Sequence, residues 1–135
     1  DLSIITNGQL LKENKAEMFA NAKWVRVSFD SADAATYAKV RKLPLEAFNE
    51  VCNNIHSFSK IKKKDCELGV NFVINHENAH QVYDMAHMVK ELGVNHIKYT
   101  ARVTRDLFEY HEPYKQNVIE QIHRAKDELD NENVT

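Results

Sequence analysis

His76–Glu77–Asn78–Ala79–His80 matches H-E-x-x-H, the pattern by which zinc peptidases set two imidazoles and a general base on one helix. The chemistry needs both histidines one turn apart on the same helical face. Here the motif follows directly on the strand-like Phe72–Val73–Ile74, so His76 falls at or before a helix start. Tyr83 stands three residues after His80, where the extended metzincin pattern has Gly. His87 is a poorly spaced third ligand, and Glu91 is a candidate one for the other zincin type. Zinc hydrolysis through His76, Glu77 and His80 is a minor alternative.

A broader signal lies in polar residues at the ends of strand-like runs. Leu2–Ser3–Ile4–Ile5 runs into Thr6–Asn7–Gly8, and Trp24–Val25–Arg26–Val27 into Ser28–Phe29–Asp30. Val70 to Ile74 runs into Asn75–His76–Glu77–Asn78, and Val94 to Lys98 into Tyr99–Thr100. Strands of repeated strand–helix units share one carboxyl-terminal face, where ligands bind. Thr6 and Ser28 are expected to project from adjacent parallel strands onto that common rim.

Each cluster has a structural alternative. Thr6–Asn7–Gly8 reads equally as a turn, since Gly8 can take positive φ and Asn7 tolerates it. Alternation sends Ser28 and Asp30 to one face and Phe29 to the other. Polar groups facing inward need a ligand or each other. They fit a ribose diol; alternatively Asp30 and Ser31 cap a short helix through Ala34–Thr36–Tyr37. Arg26, Lys98, Arg102 and Arg105 lie near strand ends, where each could meet an anion or form a surface ion pair.

The elements that must hold these residues are legible. Lys12 to Ala20 and the stretch after Pro44 (Phe48, Val51, Cys52, Ile55, Phe58) have helical spacing. From Asn78, an N-cap candidate, Val82, Tyr83, Ala86, Val89 and Leu92, or Met85 and Met88 beside them, continue the pattern, and Pro113 is expected to begin a last helix with Val118, Ile119, Ile122, Ala125 and Leu129 inward. Glu67–Leu68–Gly69–Val70–Asn71 recurs as Glu91–Leu92–Gly93–Val94–Asn95. The expectation is one geometry used twice: a helix or turn, a left-handed Gly, then a strand. The order β-α-β-α-β-α-β-α predicts an α/β fold of repeated βα units, with a parallel sheet of about four strands. A full eightfold barrel needs about 250 residues, so 135 residues correspond to a small open sheet or a partial, half TIM barrel.

Composition narrows the rest. Hydrophobic residues make up 43% and charged residues 28%, as in a globular domain. A net charge of −2 gives no field for nucleic acid or an anionic membrane. No apolar run approaches bilayer length. A cytoplasmic location is expected. Cys52 and Cys66 fit no CxxC metal pattern; a core thiol at Cys52 and a half-exposed one at Cys66 are expected. Lys60 to Lys64 is a basic run suited to a helix end. The tail from Asp130 to Thr135 is polar and expected to fray. The chain starts at Asp1 beside a strand, which reads as a cut into a longer protein.

Taken in order, Ile4 to Gly8, Trp24 to Asp30, Thr36 to Arg41, Gly69 to Ile74 with Asn78, and Leu92 to Ile97 resemble the second part of the radical S-adenosylmethionine domain. The resemblance spans about residues 2 to 100 and matches the third to sixth strands of that partial barrel. It implies S-adenosylmethionine and a [4Fe–4S] cluster as cofactors of the full-length protein. It also implies cofactor-facing roles for Thr6, Asn7, Ser28 and Asp30, and an approach of Asn75 and Lys98 to adenosine or substrate. The family's CxxxCxxC cluster motif and its Gly-Gly-Glu-Pro-like segment have no counterpart here. The segment alone is thus expected to be inactive, with a small-molecule or peptide substrate for the whole enzyme. The other class of function is a stand-alone module binding a nucleotide or sugar phosphate. Open sheet edges predict self-association.

Overall fold

The computed structural model describes residues 2–130. Four strands, β1 (Ser3–Thr6), β2 (Trp24–Ser28), β3 (Glu67–Ile74) and β4 (His96–Ala101), form one sheet in sequence order, and every pair is parallel. Between them run α1 (Glu13–Phe19), α2 (Ala34–Arg41), α3 (Glu46–Ile61) and α4 (Val82–Glu91), and α5 (Leu107–Leu129) follows β4. Consecutive parallel strands joined by helices give the winding of a β/α barrel, here over four strands. The expected α/β class and partial barrel hold.

Register sorts the side chains. Ile4, Val25, Leu68 stand side by side, as do Val27, Val70, Ile97 and, a row further, Phe72 and Tyr99. This face is apolar and buried. It forms one core with Val51, Ile55 and Phe58 of α3 and Val82, Met85 and Val89 of α4. Phe29, Tyr37 and Phe48 close the core near the carboxyl ends, with ring centroids 5.2 to 6.0 Å apart. The opposite face carries Arg26, Ser28, Asn71, His96, Lys98 and Thr100, all less than fully buried. A strand buried on both faces would be apolar throughout; these strands alternate, so one face is packed and the other is built for something polar.

Several expectations change. The Leu-Gly-Val repeat does not use one geometry twice. Gly93 has φ +83° and ends α4, where a Cβ would meet Ser59 Oγ at 2.6 Å. Gly69 instead lies inside β3. Pro113 does not start the last helix: α5 begins at Leu107 and holds Pro113 within it. The opening of α5 carries Leu107 and Phe108 but exposes both, so no buried apolar stripe marks its start, and Ile119, expected inward, is exposed as well. Asp33 is the cap of α2, accepting from the Thr36 N–H at 2.8 Å, in place of Asp30 and Ser31. The thiols exchange roles: Cys66 is buried just before β3, while Cys52 is only partly covered on α3. Lys62 does close α3, its ammonium donating to the Cys66 carbonyl at 2.7 Å. Of the tail expected to fray, residues 131–135 lie outside the described residues, and Asp130 caps α5. No helix among the described residues is long and apolar enough to cross a membrane.

Candidate functional site

The polar face forms a grid. Arg26, Gly69 and His96 stand in one row across β2, β3 and β4; Ser28, Asn71 and Lys98 stand in the next, toward the carboxyl ends. Val73 and Thr100 follow in a third. Adjacent strands are about 4.8 Å apart, so neighbours in a row are within side-chain reach. The Thr100 hydroxyl donates to Asn71 Oδ1 at 3.2 Å, tying the second row to the third.

Gly69 gives the first row its shape. A Cβ there would overlap the imidazole of His96, which lies across the strand. Burial first, and then the Arg26 guanidinium, push the His96 pKa below its ordinary value; Glu67 opposes them. Arg26 stacks over Trp24, with Cζ 5.2 Å from the ring centroid, and its Nε is out of contact with solvent and without a hydrogen-bond partner. The surface ion pair expected for Arg26 does not form among the described residues.

At the carboxyl ends, the strand tips are bracketed by Asn78. It is fully buried; its amide donates to the carbonyls of Asp30 at 2.8 Å and Val73 at 2.9 Å, and its Oδ1 accepts from the Asn75 N–H at 2.8 Å. Asp30 accepts from the Val73 N–H at 2.9 Å and pairs with Arg41 at 2.5 Å. Arg41 also donates to the Ser28 carbonyl at 3.2 Å. Asp30 is thus spent on joining β2, β3 and α2. Asn75 Oδ1 accepts from the Glu77 N–H at 2.8 Å, which builds the turn after β3.

The sequence-expected residues separate accordingly. Ser28 and Lys98 lie on the open polar face, one on each side of Asn71. Thr6 does not join them. It is level with Val27, on the helix side, so its hydroxyl and that of Ser28 point to opposite sides of the sheet. The common rim expected for Thr6 and Ser28 is corrected by this register. Thr6 accepts from the Gly8 N–H at 3.2 Å, and Asn7 accepts from the Gln9 N–H at 3.1 Å, so both close their own turn. Gly8 has φ +82° and packs against Val27 and Val51, while Asn54 of α3 clamps the turn through the carbonyls of Gly8 and Gln9. Ile5 is the β1 residue level with Arg26, and it is 62% exposed.

Asn71, His96 and Gly69 do not stand out as site residues in the sequence, where Gly69 and Asn71 mark only the repeat. The signal was there: residues 67–73 and 96–100 place polar or small groups at alternate positions, which marks a second, unpacked sheet face.

The H-E-x-x-H reading fails on geometry. Residues 76–78 form a turn and Ala79–Gln81 a single 3-10 turn, so the two histidines do not share an α-helix. His76 Nδ1 lies 2.6 Å from the Tyr110 hydroxyl, and Glu77 pairs with Lys39 at 2.7 Å. No group of three or more His, Cys, Asp or Glu among the described residues could hold a metal ion. An apolar cavity of about 330 Å³ lies elsewhere, on the helix side between β4 and the end of α5, lined by Ala86, Ile97, Tyr99, Ile122, Ala125 and Leu129.

No family model matches the chain. Probable GTP 3′,8-cyclases from strains of Saccharolobus islandicus are 31% identical over 98 residues, covering 72% of this chain and 30% of theirs. The structure of Streptococcus suis SuiB bound to S-adenosylmethionine superposes with a TM-score of 0.72 at 15% identity, over 95% of this chain and 29% of SuiB. SuiB bound to its precursor peptide SuiA gives 0.70 at 15% identity, over 98% of this chain and 30% of SuiB. Both kinds of protein are radical S-adenosylmethionine enzymes, one matched in sequence and the other in fold. The chain carries part of a radical S-adenosylmethionine domain. It spans about 30% of the length of the curated relatives it matches. In a β/α barrel the helices form the outer ring, and the open polar face of this sheet is the one away from its helices.

Proposed function

We propose that this segment supplies interior wall to a radical S-adenosylmethionine enzyme and helps hold the cofactor and substrate there. The observation that carries the reading is the polar grid on the sheet face away from the helices, in a fold shared with a protein crystallised with S-adenosylmethionine. When bound, S-adenosylmethionine is the source of a 5′-deoxyadenosyl radical that removes a hydrogen atom from substrate.

The residues present fit the nucleoside part of that cofactor. Ser28 offers a hydroxyl with no hydrogen-bond partner among the described residues, on the interior face at the carboxyl end of β2. Asp30, Asn75 and Asn78 act as positioning residues, fixing the strand tips around it. Lys98 stands one strand beyond Asn71 and faces the substrate side. Thr6 and Asn7 shape the turn after β1. The [4Fe–4S] cluster does not fit this chain. Cluster ligation needs several thiolates around iron, and here burial pushes the Cys52 thiol up to about 11 and raises Cys66 as well. Cys52 sits in the outer helical layer and Cys66 at the amino end of β3, away from the carboxyl rim. On this reading the segment is inactive without residues it does not contain.

The test uses the full-length protein with its cluster reconstituted. Ser28→Ala is expected to weaken S-adenosylmethionine binding by about 5- to 10-fold, the worth of one hydrogen bond to a polar ligand. Absence of S-adenosylmethionine binding or of reductive release of 5′-deoxyadenosine overturns the reading.

A further inference from the structure

We infer that Arg26, His96 and Lys98 form a recognition site for a phosphate group of the substrate. The inference rests on the reading above, that this sheet face lines the barrel interior, and adds what that interior selects. Its first support is an accounting of charge. Arg26 and Lys98 make no ion pair or hydrogen bond with the described residues, and Arg26 Nε is sealed from solvent without an acceptor. A guanidinium N–H sealed from water without an acceptor is destabilising, because its desolvation is not offset by a hydrogen bond. Arg41 Nε is likewise sealed without an acceptor, but its Nη2 pairs with Asp30 and donates to the Ser28 carbonyl. Lys39 holds Glu77 and Lys12 holds Glu50, whereas Arg26 has an acceptor at none of its nitrogens among the described residues.

Its second support is geometric. Arg26 and His96 flank Gly69 in one row, and the missing side chain lets the imidazole lean across β3 toward the guanidinium. The two side chains, two strands apart, thereby approach one another over the Gly69 backbone. Lys98 stands on the same sheet face of β4, one row further toward the carboxyl ends, and is exposed. Stacking on Trp24 holds the guanidinium plane, so less freedom is lost when its fork engages two oxygens. Two positive charges, one of them held by Trp24, with an imidazole that can donate a hydrogen bond, match a doubly ionised phosphate better than a single carboxylate. Glu67 lies one row toward the amino end and sets the lower border of the positive region.

The test titrates the full-length protein, calorimetrically, with inorganic phosphate and, in parallel, with acetate. Phosphate is expected to bind more tightly than acetate. Arg26→Gln and Lys98→Gln should each weaken phosphate binding by about 10-fold or more, the low end of the range for a hydrogen bond to a charged group. Lys39→Gln, on the far side of the strand tips, should leave it unchanged. Both tested side chains are on an unpacked face, and circular dichroism confirms that the variants fold. No phosphate binding up to about 50 mM, equal binding of acetate, or phosphate binding indifferent to both substitutions overturns the inference. S-adenosylmethionine binding, read on the same samples, separates the two layers. Retained S-adenosylmethionine binding with no phosphate effect removes this inference alone; lost S-adenosylmethionine binding in the unsubstituted protein removes the reading beneath it.

Discussion

The imidazole of His96 on β4 occupies the space that a side chain at Gly69 on β3 would fill. One residue's absence of a side chain therefore sets the other's orientation, and both are needed to bring His96 toward Arg26. Gly69→Ala is expected to destabilise the protein by about 1–3 kcal/mol, the usual range for overpacking. Ala is otherwise the better strand residue, so a loss of stability isolates the contact with His96. Urea denaturation should show it, and His96→Ala in the same chain should recover most of it. A Gly69→Ala protein as stable as the parent would refute the contact.

His96 also makes stability depend on pH. Its folded pKa lies below the ordinary 6.5, chiefly because of burial and then because of Arg26, with Glu67 in partial opposition. The unfolded chain therefore takes up the proton more readily than the folded one. The stability contributed by keeping His96 neutral is fully present above pH 6.5 and is lost as pH falls below it, toward the folded value. Urea midpoints should decline over that interval, and His96→Gln should flatten the decline. Asp33 and Glu77, both held below the usual carboxylate range, act separately at lower pH. Their stabilisation is present above their ordinary values and lost only as pH falls through the depressed ones. A decline near pH 6 that persists in His96→Gln would point to another group.

Asn78 holds the carboxyl ends of β2 and β3 together. Asn78→Ala removes three hydrogen bonds and leaves the Asp30 and Val73 carbonyls without that donor. The expected loss is about 2–4 kcal/mol, since buried groups left unpaired are destabilising by roughly 1–3 kcal/mol each. Thermal unfolding measures it. A loss below about 0.5 kcal/mol would mean that water replaces the amide.

The 135-residue chain, made alone, should self-associate. β1 and β4 are the two edges of the sheet, and Leu2 and Ile5 are exposed at the first. Unpaired edge strands recruit other chains. Sedimentation at about 100 µM should show a dimer or larger species, weakened by Ile5→Lys, because a charge on an edge strand opposes pairing. A stable monomer at that concentration defeats the expectation.

The sequence by itself determined the four strands in order, the parallel sheet and the segments of residues that resemble a radical S-adenosylmethionine domain, although it showed one helix between β2 and β3 where the structure has two, α2 and α3. These depend on local signals: alternation in Trp24 to Ser28, three-and-four spacing from Phe48 to Phe58, and the left-handed Gly93 after α4. What only the tertiary structure decided is which side of the sheet each polar residue takes. Thr6 and Ser28 looked equivalent at strand ends, yet a register of Thr6 against Val27 turns them apart. Glu67 to Asn71 looked like Glu91 to Asn95, yet the first is strand throughout and the second a helix end, because pairing with β2 and β4 captured the one and not the other. Local pattern fixes which residues alternate; the pairing between distant segments fixes how those alternations line up, and a shift of one residue exchanges the packed face for the polar one.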